Sequence, residues 1–182
     1  MWETRGQDWA VDFLRRGLEQ GRLAHAYLLV GPEGVGKATL AKDLARAVNC
    51  DEDAPPCGQC RSCRRIAEGK HPDIMVVSLS DRQDDGERRG RAAEARAPRD
   101  IKIDQIREMQ RWVALKPFEG RYRVFIVDGA ENLNAESANA LLKTLEEPPP
   151  QVLLILLATD ERRLPATVVS RCQRLELWAS VS

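Results

Sequence analysis

A glycine-rich stretch that ends in lysine is the first part of this chain that could do chemistry. Residues 31–37 read Gly-Pro-Glu-Gly-Val-Gly-Lys and match the spacing G-x-x-x-x-G-K. Backbone N–H groups of such a loop surround a phosphate, and the lysine reaches the terminal phosphates. The apolar run Ala26-Tyr-Leu-Leu-Val30 precedes the loop and a helical pattern follows it, as the motif requires. The sequence therefore predicts a phosphate cradle made by Gly31, Gly34, Gly36 and Lys37.

The residue after the lysine lacks the group that such a loop contributes to metal binding. The motif ordinarily ends in Ser or Thr because that hydroxyl binds Mg²⁺, but this position is Ala38. Thr39 follows, and one step along a helix turns a side chain by about 100°, away from the metal. We therefore expect a vestigial nucleotide site, in which the loop keeps its shape while the chemistry of Mg·ATP is impaired. The sequence leaves open whether nucleotide still binds.

Four cysteines form a second candidate site. They follow the spacing C-x6-C-x2-C-x2-C and are Cys50, Cys57, Cys60 and Cys63. Four thiolates this close together predict a tetrahedral Zn²⁺ site without an open position, which would be structural. Gly58 would allow a tight turn between two ligands. Nearby positive charge would lower the pKa values of the thiols, and it comes from Arg61, Arg64 and Arg65. Free thiols or a redox pair are the alternative interpretation.

Composition narrows the class of protein. The chain has 182 residues, enough for one domain with a sizeable core. Lys plus Arg and Asp plus Glu number 28 each, so no overall basic field draws the chain to nucleic acid. Contact with DNA would need a local patch or partner subunits. No stretch reaches the roughly 20 apolar residues that cross a bilayer, and residues 1–12 lack the apolar core of a signal peptide. We therefore expect a cytoplasmic protein without a membrane contact.

Apolar periodicity predicts the elements that position these residues. Short apolar runs predict buried strands over 26–30, 74–79, 123–128, 152–158 and 174–177. Helical spacing predicts helices over about 7–20, after the loop, from Asp104 as N-cap to about Leu115, and over 137–147. The first of these would be amphipathic, with the apolar residues Trp9, Phe13, Leu14 and Leu18. Strands that alternate with helices imply an α/β fold, with a parallel sheet of about five strands covered on both faces. We expect one domain over 1–178 and the start of a linker at 179–182.

Residues 80–99 interrupt this pattern. They are rich in Asp, Glu and Arg and contain no aromatic residue. Such a segment cannot bury enough apolar surface to offset its ordering entropy, so we expect an exposed, mobile insertion. A DNA-contacting arm built on Arg88, Arg89 and Arg91 is the alternative, although interleaved acids and the lack of aromatic residues argue against it.

Three motifs, taken in order along the chain, give it a resemblance to a known family. The phosphate loop is followed by Asn139-Ala-Leu-Leu-Lys-Thr-Leu-Glu-Glu-Pro-Pro149 and then by Ser170-Arg171-Cys172. This order resembles the clamp-loader ATPases of bacterial DNA polymerase III, which are AAA+ proteins with a RecA-like P-loop fold. Leu23-Ala-His-Ala-Tyr27, Lys116-Pro117 and Glu119-Gly120 extend the resemblance over nearly the whole chain. Members of that family carry similar four-cysteine modules.

The resemblance implies roles for further residues. Asp128 would bind Mg²⁺, but Gly129 stands where active relatives carry a glutamate that orients the attacking water. Glu131 is expected to face solvent or to cap the next helix. Thr159 matches a polar sensor of the γ-phosphate. Arg171 matches an arginine finger that enters the ATP site of the adjacent subunit, where its guanidinium stabilises charge on the transferring phosphoryl group.

The two missing groups favour a delta-prime type of subunit, which would assist a neighbour's ATP hydrolysis without hydrolysing ATP itself. The resemblance then implies a hetero-oligomer with gamma/tau and delta subunits that loads the sliding clamp onto primer-template DNA. The chain would thus work within the DNA polymerase III holoenzyme, a nucleotidyltransferase complex. A gamma/tau motor subunit that hydrolyses ATP is the alternative, against which Ala38 and Gly129 argue. An unrelated P-loop module whose zinc site contacts nucleic acid is a second alternative.

Overall fold

A parallel sheet forms the centre of the fold. The computed structural model of the protein describes residues 1–78 and 101–179, so the predicted insertion at 80–99 and most of the predicted linker lie outside the described residues. The strands in this part of the chain are β1 (Ala26–Val30), β2 (Ile74–Val77), β3 (Arg123–Asp128), β4 (Val152–Ala158) and β5 (Gln173–Glu176). They pair in parallel in the order β2-β3-β4-β1-β5. The predicted α/β fold with a five-stranded parallel sheet is therefore confirmed.

Helices cover both faces of the sheet. They are α1 (Asp8–Glu19), α2 (Lys37–Asn49), α3 (Arg61–Ala67), α4 (Ile103–Val113), α5 (Ala135–Glu146) and α6 (Ala166–Val169). Alternate residues of each central strand point to opposite faces. One face packs against α4 and α5 and includes Leu154, Met109 and Leu141. The other packs against α1 and α2 and includes Ile155 and Leu44. Within the described residues, no helix has the length and apolar character needed to cross a membrane.

Three helices differ in detail from their predictions, and α5 begins at Ala135, two residues before the predicted start. Helix α4 begins at Ile103 with Lys102 as its N-cap, so the prediction of Asp104 as N-cap was wrong. Helix α1 buries Ala10, Val11 and Leu14, whereas Trp9 and Phe13 are 41% and 44% exposed. The Trp9 ring instead lies 5.7 Å from the ring of Trp178, which follows β5. The apolar spacing identified the helix but assigned two aromatic residues to the buried face, because the stripe at positions 9 and 13 lies next to the buried stripe at positions 10 and 14.

Buried polar residues fix the loop between α4 and β3. The Asp73 carboxylate is fully buried and accepts hydrogen bonds from the backbone N–H groups of residues 118, 119 and 120, at 2.6, 2.8 and 2.6 Å. The side-chain oxygen of Asn49, at the end of α2, accepts hydrogen bonds from the backbone N–H groups of residues 121 and 122, each at 2.9 Å. A Cβ at Gly120 would lie 2.5 Å from the Asn49 side-chain oxygen, so this close approach requires glycine.

The parallel arrangement brings three loops to one edge of the sheet. The carboxyl ends of β1, β3 and β4 are adjacent, because Val30 pairs with Ala158 and Asp128 pairs with Leu157. The next residues are tied to the same strand: Gly31 N–H donates to the Ala158 carbonyl at 3.1 Å, and Gly129 N–H donates to the Leu157 carbonyl at 3.0 Å. Ligands of open α/β sheets bind at such an edge.

Candidate functional site

A cleft of about 560 Å³ opens at this edge. Of the residues predicted to bind nucleotide, seven line it, and they are Gly34, Gly36, Lys37, Ala38, Thr39, Asp128 and Thr159. Gly31 lies behind the cleft, where it is buried and where a Cβ would come within 2.6 Å of the Leu177 carbonyl oxygen. Four further residues of the wall carry side-chain polar groups and were not predicted to be part of this site: Glu33, Ser78, Glu131 and Asn132.

The loop around the cleft has the backbone of a phosphate cradle. Gly34 and Gly36 have positive φ angles of 78° and 105°, which favour glycine, and Gly36 is the N-cap of α2. The helix thus points its free N–H groups toward the cleft. The Lys37 ammonium folds back onto the loop and donates to the carbonyl oxygens of Gly31 and Pro32. Burial lowers the pKa of Lys37, and the neighbouring carboxylates of Glu131, Asp128 and Glu33 oppose that change.

Glu131 faces the cleft. Its carboxylate accepts a hydrogen bond from the backbone N–H of Thr159 at 2.9 Å. Helix α5 is capped instead by Asn134, whose side-chain oxygen accepts from the Ser137 N–H at 2.8 Å. Glu131 therefore does not cap α5 as expected, and its half-buried side chain is held against the end of β4 in a cleft that is open to solvent. Proximity of the β3 and β4 ends explains the difference, because it places the Thr159 N–H within reach of a side chain 28 residues earlier.

Arg171 lies outside the cleft. It follows α6, and its side chain is 37% exposed. The guanidinium pairs with Glu146 at 2.9 Å and donates to the Thr167 carbonyl at 3.2 Å. Glu146 ends α5, the helix that carries the 139–149 string, so two of the sequence motifs meet at this ion pair. Cys172 is partly buried against the apolar core, and burial raises the pKa of its thiol to about 12.

The four cysteines converge on one point. Their sulfur atoms all lie within 4.8 Å of one another, so together they could hold a metal ion. Gly58 adopts a φ of 77° and forms the predicted tight turn. Backbone N–H groups of Gln59 and Cys60 donate to the Cys57 sulfur at 3.3 and 3.1 Å, and they are the chief cause of a Cys57 pKa lowered to about 7. Burial raises the pKa of Cys63 to about 12. The lowered pKa of Cys57 thus comes chiefly from backbone N–H groups, whereas the sequence pointed to the arginines as the groups that lower the pKa values of the thiols.

Comparisons with known proteins agree on one family. The family model described as "DNA polymerase III, delta subunit" matches residues 6–180. DNA polymerase III subunit tau of Escherichia coli is 37% identical over 176 residues, covering 96% of this chain and 25% of that protein. DNA polymerase III subunit delta' of Bacillus subtilis is 36% identical over 170 residues, covering 93% of this chain and 46% of that protein. The chain spans about a quarter of the length of the tau relatives that it matches.

Solved structures show the same fold at lower identity. A crystal structure of a DNA polymerase III gamma subunit-related protein from Thermotoga maritima has a TM-score of 0.55 and 20% identity, and the match covers 92% of this chain and 45% of that chain. The Holliday junction branch migration motor RuvB of Thermotoga maritima has a TM-score of 0.54 and 19% identity, and the match covers 95% of this chain and 45% of that chain. At this identity the likeness describes the fold alone.

Proposed function

The chain belongs to the family described as DNA polymerase III, delta subunit, and we propose that it acts as a delta-prime-type clamp-loader subunit that assists ATP hydrolysis by a neighbour. Arg171 carries this proposal. Its side chain is exposed and does not line the cleft of its own chain, and the contacts of its guanidinium are with Glu146, Thr167 and Ser170. An arginine held by such surface contacts can exchange them for the phosphates of an adjacent subunit's ATP site.

The composition of the cleft supports the absence of hydrolysis in this chain. Ala38 lines the cleft without offering the hydroxyl that binds Mg²⁺ in active P-loop proteins. Gly129 lines it without offering a carboxylate to orient water. Asp128 remains as a metal ligand and Thr159 as a sensor of the γ-phosphate, but neither replaces the two missing groups. The proposed site is therefore a vestigial nucleotide pocket beside a functional arginine.

The four-cysteine cluster is proposed to hold structural zinc. Four sulfurs bound at about 2.3 Å around a tetrahedral ion lie about 3.8 Å apart, and the Cys57 and Cys63 sulfurs are already 4.0 Å apart. With four cysteines supplied by the chain, no coordination position remains for a substrate. Zinc would tie the segment after α2 to α3, which begins between the third and the fourth ligand.

The proposed partners follow from the proposed role. They are the gamma/tau and delta subunits of a clamp loader and, through that complex, the sliding clamp and primer-template DNA. A gamma/tau motor is the second candidate function, because the tau relatives, at 37% identity over 96% of the chain, match as well as the delta' relative does and the comparisons therefore favour neither role. The two candidates differ in whether the chain itself uses ATP.

Single-turnover ATP hydrolysis by the assembled complex tests the arginine role. In the complete protein, Arg171→Ala is expected to slow hydrolysis at the one site that receives this side chain by about 10³-fold or more. Arg162→Ala is the matched control, because Arg162 is 87% exposed and pairs with Asp160 on its own loop. Equal single-turnover rates at every site with and without Arg171 would refute the arginine role.

A further inference from the structure

The cleft carries an excess of negative charge. Among the described residues that line it, three are acids (Glu33, Asp128 and Glu131) and one is a base (Lys37). Active P-loop proteins compensate such acids with Mg²⁺, which is held partly by the loop hydroxyl. Because Ala38 lacks that hydroxyl, the compensation is weakened here, and an incoming polyphosphate would meet uncompensated carboxylates. The three acids are not equivalent in position.

Glu131 is the acid most closely integrated into the cleft. One carboxylate oxygen accepts from the Thr159 N–H at 2.9 Å. The other lies 3.9 Å from the position that a Cβ would take at Gly129. Glu131 therefore brings a carboxylate close to the place where a side chain at position 129 would begin. Among the carboxylates that raise the pKa of Lys37 against the effect of burial, Glu131 has the largest effect.

We propose that Glu131 is an internal anion that occupies the Thr159 N–H in the cleft that Lys37 also lines, and that it thereby sets a low affinity of this cleft for polyphosphates. A phosphate would have to displace it or bind beside it. Like charges a few ångströms apart in a cleft open to water repel measurably, although less than in a dry interior. The inference rests on the proposed function for the expectation that the cleft does not hydrolyse ATP. It adds the residue that opposes the binding of a polyphosphate.

Glu131→Gln removes the charge and keeps a side-chain oxygen for the Thr159 N–H. The probe is inorganic tripolyphosphate without metal, added to the purified, nitrogen-labelled chain at low salt. Chemical shifts of the Gly34 and Gly36 amides report binding up to tens of millimolar. We expect Glu131→Gln to bind about fivefold to tenfold more tightly than the wild type, from the loss of one nearby charge. Lys37→Ala should abolish the chemical-shift changes caused by tripolyphosphate, both in the wild type and in combination with Glu131→Gln.

Glu33→Gln is the matched control. It changes the net charge by the same amount on the same cleft, but Glu33 is exposed and is the last of the three acids that act on Lys37. The affinity of Glu33→Gln for tripolyphosphate should differ from that of the wild type by less than twofold. If Glu131→Gln folds poorly, Glu131→Ala takes its place in the test. It lacks both the charge and the acceptor, and it should also bind tripolyphosphate more tightly than the wild type. Equal affinity of the wild type and both Glu131 variants, an equal gain in Glu33→Gln, or no binding by any of them would overturn the inference. Since no partner is present, failure here leaves the test of Arg171 unaffected.

Discussion

Restoring an acid at position 129 should destabilise the fold, although it would complete the motif. Gly129 has a φ of 76°, a conformation that costs other residues roughly 1–2 kcal/mol. A Cβ there would lie 2.8 Å from the Asn132 side-chain nitrogen, which donates to the Gly129 carbonyl at 3.1 Å. Displacing Asn132 forfeits that hydrogen bond, at about 1 kcal/mol. Gly129→Glu should therefore lower the free energy of unfolding by about 2–3 kcal/mol.

Urea denaturation followed by tryptophan fluorescence measures this loss. Gly129→Ala introduces the same Cβ without charge and should lose about 2 kcal/mol, since the backbone strain and the contact remain. Removing the contact with Asn132→Ala in the Gly129→Glu background should narrow the difference between glycine and glutamate at position 129 by about 1 kcal/mol.

Gly21→Ala is the control that separates the cost of backbone strain from the cost of the contact with Asn132. Gly21 has a similar φ of 64°, but a Cβ there would meet no atom within 4 Å. This variant should therefore lose only the backbone strain, about 1 kcal/mol. A loss of stability in Gly129→Ala and Gly129→Glu no greater than that in Gly21→Ala would refute the contribution of the Asn132 contact. Backbone strain would then be the remaining structural reason for glycine at position 129.

The buried carboxylate and the cysteine cluster give further predictions. Asp73→Asn should lower the free energy of unfolding by about 3 kcal/mol, measured with urea, because it weakens buried charge-assisted hydrogen bonds. Asp160→Asn, at the surface, should have a much smaller effect. The hydrogen bonds hold the pKa of Asp73 below its usual value despite burial. Its contribution to stability should therefore be complete above about pH 4 and fall as the pH drops further, which Asp73→Asn should not show. Zinc analysis should give about one ion per chain in Cys172→Ser and much less in Cys50→Ser; equal zinc in both would contradict the four-cysteine site. Chelation should lower the unfolding temperature of the wild type.

Local patterns in the sequence predicted the sheet well. β1, β3 and β4 have the predicted bounds because each contains an apolar run of at least four residues that is buried on both faces of the sheet. β2 ends two residues early and β5 is displaced by one, since edge strands are less buried and their apolar signal is weaker. The glycines of the phosphate loop were predictable for a physical reason, because positive φ angles favour them.

Long-range polar contacts were not predictable in this way. Asp73 receives N–H groups from residues 45 to 47 positions away, and nothing in its immediate sequence marks it as buried. Glu131 reaches Thr159 only because β3 and β4 are neighbours, which the order of elements along the chain does not specify. Glu146 pairs with Arg171 for a similar reason, through the packing of α5 against α6. The sequence thus identified the residue types of the site, while the fold determined which of them interact.

Mg·ATP binding by the purified chain, measured by calorimetry beside Ala38→Thr, tests the central claim most directly. The account predicts no micromolar binding by the wild type, because the loop lacks its metal-binding hydroxyl and Glu131 opposes the phosphates. Binding that is gained only with the restored threonine would agree with a subunit that lends Arg171 to a neighbour. Micromolar binding of Mg·ATP by the wild type would contradict the account and would favour a motor subunit that uses ATP itself.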